Sequence, residues 1–231
     1  HVGHSHPKIA EVATTQMNKL NTNTRYLDEN IANYAEAIAR KLPDKLTKFF
    51  FTNSGSESND LALRLSRTFT GNNNTVVLEG AYHGHLISLI EISPYKYNGP
   101  GGTGAPQYVY EISIPDSFRG KYRGDDCGNL YLKEVKNILD NSKSNQSCTF
   151  IAESVMGCGG QLIPPKGFIS GCYNLVREND GICIADEVQI GFGRLGEKFW
   201  GFETQSVVPD VVTLGKSIGN GYPISAIIGK K

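Results

Sequence analysis

Several apolar runs in this sequence end in a residue that can do chemistry. Asp186 follows Ile182–Ala185, Lys216 follows Val211–Leu214 after one glycine, and Glu153 follows Phe150–Ala152. Ligands of open α/β sheets sit at the carboxyl ends of the strands, so a lysine and a carboxylate delivered there can face one ligand. A lysine amine partly withdrawn from water is both nucleophile and base. A third group lies in the turn Asn53-Ser54-Gly55-Ser56, which opens a helical pattern. Backbone N–H groups at Gly55 and Ser56, the Ser56 hydroxyl and the helix dipole would together favour an anion there. Ser54 and Ser56 are also common helix caps, and a cap and an anion site use the same orphan amides.

These groups match what pyridoxal phosphate (PLP) requires of a protein. It needs a lysine for its aldehyde and a carboxylate to keep the pyridine nitrogen protonated, so that the ring acts as an electron sink. It also needs a phosphate cradle and a side chain to lie on the ring. Tyr82 or His83, in the turn after the next strand, is the candidate for that last role. A dinucleotide is the competing ligand, because Gly191-Phe192-Gly193-Arg194-Leu195-Gly196 matches G-x-G-x-x-G. No helical period follows it, and Asp186-Glu187 would repel a pyrophosphate, so that reading is set aside.

The elements that would carry these residues can be read from hydrophobic periodicity. Pro7 to Leu20 has a helical pattern with Ile9, Val12, Ala13, Met17 and Leu20 on one face. Ile31, Ala35, Ile38 and Leu42 mark a second helix stopped by Pro43. A short strand at Lys48–Phe51 precedes the turn, and the helix after it is expected to face inward with Leu61, Leu65 and Phe69 and to end at Gly71. Thr75–Leu78 reads as a strand. Ser93 to Asn129 reads as irregular and longer than a passive connector, which suggests a functional loop region. A helix at Leu130–Leu139 comes next. The buried strands Thr149–Ala152, Ile182–Ala185 and Val211–Leu214 follow, with a helix at Phe168–Glu178 between the first two. Strands apolar throughout, alternating with helices, predict an α/β fold with a mainly parallel sheet and helices on both faces.

The bulk numbers restrict the function classes. The chain has 231 residues, with Lys+Arg and Asp+Glu both 23, so no net basic field draws it to nucleic acid or an anionic membrane. No apolar run approaches the roughly 20 residues that span a bilayer. The five cysteines show no C-x-x-C spacing, which reads as reduced thiols in an intracellular compartment, mitochondrion or cytoplasm. No metal site is expected: His1, His4 and His6 have no cysteine near them, and they read with His83 and His85 as packing or subunit-interface residues. The chain starts without Met at His1-Val2-Gly3-His4 and stops as a strand finishes. It is therefore read as a large domain, residues 1–231, with an N-terminal segment and a C-terminal small domain outside it.

The segments "NSGSESNDLALRL", "AYHGH", "ADEVQIGFGRLG" and "TLGKSIGNGYP" closely resemble class III aminotransferases, in that order and spacing, over essentially the whole chain. The resemblance implies a fold-type I PLP-dependent transferase large domain. It also implies a homodimer with each active site at the subunit interface and a threonine, outside this chain, lent to the partner's phosphate. It assigns Lys216 as the covalent lysine and proton shuttle and Asp186 as the partner of the pyridine nitrogen. Gln189 would contact the ring hydroxyl, Gly55 and Ser56 the phosphate, Tyr82 the ring face, and Glu153 would support the Asp186 side.

Within the family, "LNTNTRYL", "HGHLISLIEISPYK", "PDSFRGKYR" and "CGGQLIPP" resemble phospho-lyases acting on ethanolamine phosphate and phosphohydroxylysine. "GPGGTG" and "GICIADEVQIGFGRLGEKFWGF" equally resemble transaminases of the alanine–glyoxylate type. Many class III transaminases read Glu-Pro-Ile-Gln-Gly-Glu-Gly-Gly, whose second Glu gates a carboxylate-binding arginine. Here the run is Glu153-Ser154-Val155-Met156-Gly157-Cys158-Gly159-Gly160, with Cys158 at the gate. That departure fits a lyase with no keto-acid half-reaction, although some transaminases of the class lack the gate too. The leading expectation is therefore loss of phosphate and ammonia from a small phosphorylated amine, with transamination as the alternative. Arg25, Arg119, Lys121 and Arg123 are candidates for the substrate phosphate, since guanidinium groups suit phosphate bidentately. Otherwise they are, like Lys96, solvated loop charges.

Overall fold

The computed structural model describes residues 1–22, 25–141 and 147–231. Its strands are β1 (Leu46–Thr52), β2 (Thr75–Leu78), β3 (Val109–Ile112), β4 (Thr149–Glu153), β5 (Ile182–Asp186), β6 (Val211–Leu214) and β7 (Ser225–Lys230). Its helices are α1 (Pro7–Lys19), α2 (Glu29–Ala39), α3 (Gly55–Thr70), α4 (Ile87–Ile90), α5 (Pro94–Tyr97), α6 (Cys127–Asn141) and α7 (Phe168–Glu178). The strands form one sheet in the order β1-β7-β6-β5-β4-β2-β3. From β3 to β6 every pairing is parallel, and β7 is antiparallel to both β6 and β1.

Alternation along each strand divides the core between two helical layers. Val77, Ile151, Ile184 and Ile227 pack with Ala62 and Leu63 of α3 and Leu89 of α4. Their neighbours Val76, Phe150 and Cys183 pack against Tyr131 and Val135 of α6 and Phe168 and Val176 of α7. Further along the same face, Val212, Leu214, Ala226 and Ile228 meet Ile38 of α2, Trp200 and Phe202. This double coverage is why the central strands read as continuous apolar runs. Each buried Ile, Leu or Phe contributes about 1.5–3 kcal/mol, so the strand ends are held on a stiff frame.

Three expectations are corrected. Leu65 and Phe69 do not face inward: they are 41% and 78% exposed, and α3 buries Ser58, Asn59, Ala62, Leu63 and Ser66 instead. Small and hydrogen-bonding residues let the helix lie close to the sheet, with Ser66 bonded to Thr149 and Ser58 to the Leu214 carbonyl. The stretch read as irregular contains α5 and the edge strand β3, paired in register with β2. That strand is only partly apolar, because the Glu111 side chain takes the Tyr97 hydroxyl at 2.7 Å. The second helix ends at Ala39, and Leu42 is carried inward by a tightened turn whose N–H bonds the Ala39 carbonyl. The α1 helix forms as expected, but none of its residues is buried. Among the described residues, no helix is long and apolar enough to cross a membrane.

Candidate active site

Glu153 and Asp186 are the last residues of adjacent parallel strands and stand side by side in register. Both fall on the face that meets α3, in phase with Ile151 and Ile184. Asp186 is 3% exposed, and three donors meet its carboxylate. His83 Nδ1 and Asn59 Nδ2 each lie 2.8 Å from Oδ2, and the Val188 N–H donates to Oδ1 at 3.1 Å. A carboxylate only accepts, so the His83 proton is on Nδ1. Asn59 also donates to the His83 carbonyl at 2.8 Å, and the His83 N–H bonds Ser93 Oγ at 2.9 Å. Asp186 is thus fixed from α3 and from the turn after β2.

The next residue, Glu187, points the other way and is an anchor. Ser154 Oγ and the N–H groups of Gly201 and Phe202 donate to it at 2.7, 2.7 and 2.9 Å. Burial pushes its carboxyl above the usual range, against those three bonds. Glu153 is less well supplied. Its Oε2 takes the Gly157 N–H at 2.9 Å, and its Oε1 is buried without a partner. Burial, reinforced by the charge of Asp186, pushes the Glu153 carboxyl up to about 7.

Lys216 follows β6 and opens a short 3-10 turn with φ 42°, the left-handed region. A lysine there is sparsely populated backbone, of the kind that clusters at functional sites. The surroundings fix it: Ser58 Oγ bonds the Leu214 carbonyl at 3.2 Å and the Tyr34 hydroxyl bonds the Ile218 carbonyl at 2.6 Å. The start of α3 faces the lysine turn. Ser54 caps the helix, accepting from the Glu57 N–H at 3.2 Å, while Glu57 accepts from the Asn53 N–H at 2.6 Å. A Cβ on Gly55 would stand 2.7 Å from Val188 Cγ1, so only glycine lets the turn approach the β5 end this closely. Gly84, at φ +136°, passes so near Ser56 that a Cβ would sit 2.6 Å from its Oγ.

The predicted residues Gly55, Ser56, Tyr82, His83, Glu153, Asp186, Gln189 and Lys216 all line one cavity of about 270 Å³, together with Asn59, His85 and Cys158. His83 is turned away to Asp186, which leaves Tyr82 as the aromatic face of the cavity. Asn59 was not anticipated; its signal is a polar residue one helical turn after Gly55, on the inner face. A larger groove of about 730 Å³ lies between α2 and β1. Its lining, which includes Ile31, Tyr34, Phe51 and Ile224, offers no carboxylate or amine. Arg25, Arg119, Lys121 and Arg123 do not line the 270 Å³ cavity. Lys121 is held by Glu134 at 2.6 Å, and Arg123 Nε bonds the Gly120 carbonyl at 3.3 Å. Among the described residues, no cluster of three or more His, Cys, Asp or Glu could hold a metal ion.

This donor set suits a planar heterocycle bearing a phosphate. Unpartnered Glu153 Oε1 and His83 Nε2 lie at the carboxylate end. At the other end, the first N–H groups of α3 have no intrahelical acceptor.

Comparison with known proteins agrees. The chain is 46% identical, over 99% of its length, to alanine–glyoxylate aminotransferase 2-like of Drosophila melanogaster, and covers 48% of that protein. It is 41% identical over its whole length to ethanolamine-phosphate phospho-lyase homolog 1 of Caenorhabditis elegans, covering 52% of it. The chain therefore spans about half the length of these curated relatives. Among solved structures, a phospholyase from Arthrobacter in complex with phosphoethanolamine superposes with TM-score 0.90 at 36% identity, covering all of this chain and 55% of that one. The aminotransferase class-III model matches residues 1–231. With the parallel sheet, the reversed β7 and the lysine turn all in place, the chain belongs to the class III aminotransferase family.

Proposed function

We propose that this chain is the PLP-binding large domain of a phospho-lyase that removes phosphate and ammonia from a small phosphorylated amine such as phosphoethanolamine. In this reading Lys216 binds the cofactor aldehyde, and Asp186, held by His83 and Asn59, faces the pyridine nitrogen. The α3 amides of Gly55 and Ser56 take the phosphate, Tyr82 covers the ring, and Gln189 reaches the ring hydroxyl. When bound, PLP withdraws the electron pair left as a bond to the amine-bearing carbon breaks. Lys216 takes the proton from that carbon. With loss of phosphate from the adjacent carbon and addition of water, phosphoethanolamine gives acetaldehyde, ammonia and inorganic phosphate. The family supports a homodimer as the working state.

The observation that carries the lyase reading is Cys158. It lines the cavity at the position where gated transaminases carry a glutamate. The likeness to the phosphoethanolamine-bound phospholyase supports the same reading. The transaminase reading rests on the 46% likeness to the alanine–glyoxylate relative. The test uses the full-length protein with PLP and phosphoethanolamine and no keto acid. Equal, catalytic release of phosphate and ammonia is expected. No release, with pyruvate formed from alanine once glyoxylate is added, would assign transamination instead.

A further inference from the structure

Two carboxyl groups stand side by side at the ends of β4 and β5, and the donors around them are unequal. Asp186 receives three donors, from His83, Asn59 and the Val188 N–H. Glu153 receives one, from Gly157 to Oε2, and its Oε1 is buried with no partner although Glu153 lines the cavity. A like charge in an adjacent buried site disfavours ionisation, and most so for the carboxyl with fewer donors, which is Glu153. We infer that Glu153 is the proton-bearing member of a carboxyl pair with Asp186, with the proton on Oε1, the oxygen that receives no donor.

The other groups around Glu153 are consistent with this. His83 lies behind Asp186 and is bonded to it, and Lys216 and Cys158 line the same cavity, with Tyr82 and His85 beyond. The cationic influences of Lys216 and His83 favour ionisation of Glu153, but burial and Asp186 outweigh them. A protonated Glu153 is a positioning residue. It presents a neutral hydrogen-bond donor beside the carboxylate, so one negative charge rather than two confronts the ligand. The protonation belongs to the cofactor-free protein and does not rest on the PLP reading.

The test is therefore infrared difference spectroscopy on the full-length protein freed of cofactor, titrated from about pH 5 to about pH 9. The wild type minus Glu153→Gln difference cancels any band from Glu187, the neighbouring buried glutamate. The expected result is a carboxylic-acid carbonyl band that disappears with a midpoint near 7 and is missing in Glu153→Gln. In Asp186→Asn, which leaves Glu153 in place, the midpoint should fall by about one unit or more as the neighbouring charge is removed. An acid band that persists in Glu153→Gln, a wild-type Glu153 already ionised at about pH 5.5, or an unmoved midpoint in Asp186→Asn would each overturn the inference. None of these outcomes depends on whether phosphoethanolamine is a substrate.

Discussion

Asp186 is placed by neighbours from distant parts of the chain, and this makes single substitutions informative. Asp186→Asn exchanges an acceptor-only group for an amide and sets an NH2 against His83 or Asn59, both of which now donate. Turnover should fall by about 10²-fold or more with weaker PLP retention, read by steady-state kinetics and by cofactor loss on dialysis. Lys216→Ala should abolish the borohydride-reducible PLP adduct; an adduct that survives would place the covalent lysine elsewhere. Glu153→Gln carries a pH signature in the cofactor-free protein. Its carboxyl is raised from 4.5 to about 7, so the folded state holds a proton that the unfolded chain has released between those values. Wild-type stability therefore declines as pH rises through that window, and the Gln variant should gain on it by up to about 3 kcal/mol by pH 8. A gap that stays constant in pH-dependent denaturation would contradict this. Lys216, Asp186 and Glu153 were legible in the sequence because each stands at or just past the end of a buried apolar run. Asn59 and the inward turn of His83 were not, since both depend on how close α3 and the β2 turn come to β5.

At the scale of elements, the site depends on how tightly the strand ends, the α3 start and the lysine turn converge. Gly55→Ala would push a methyl into Val188, 2.7 Å away. The cost should be about 1–3 kcal/mol, with PLP affinity falling more than turnover of the loaded enzyme. At the opposite end of the same strands, Asp210 ties the start of β6 to its neighbours. It accepts from Arg177 Nε and Nη2 at 3.1 Å, from the Cys183 N–H at 3.0 Å and from Lys230. Burial alone would raise its carboxyl, but Lys230, Arg177 and the Cys183 amide outweigh burial and hold it low. Stability from this group is thus present above the ordinary carboxylate range and lost as pH falls through its lowered value. Asp210→Asn should cost about 3 kcal/mol at neutral pH, with the difference from wild type closing in acid; an equal loss at pH 7 and about pH 3 would argue against it. The central strands and α7 were legible because burial on both faces leaves an uninterrupted apolar run. The face of α3 was misread because periodicity shows that a stripe exists, whereas close packing on a sheet selects small residues for contact. The edge strand β3 was hidden because an edge needs apolar residues on only part of its length.

For the whole molecule, the misread face of α3 becomes an argument about assembly. Leu65 and Phe69 on α3 and Leu86, Ile87 and Ile90 at α4 are exposed, with Phe69 at 78% and Ile87 at 80%. The two helices are in contact, joined by Ser88 Oγ donating to Asp60 at 2.5 Å, while Leu65 and Phe69 share an outward face of α3 on the other side of that helix from Asp60. That face lies on the outer side of the helix whose first turn and inner face build the cavity. If the second copy of the proposed homodimer covers these side chains, it holds α3, and with it Ser56 and Asn59, against the β5 end. The full-length protein should run as a dimer in size-exclusion chromatography with light scattering. Phe69→Asp combined with Ile87→Asp removes two apolar anchors and should weaken association by about 100-fold or more. Because neither side chain reaches the cavity, loss of PLP affinity in the dissociated variant would come through α3 rather than through a lost contact. A double variant that remains dimeric with unchanged PLP affinity would show that α3 is held by its own chain alone.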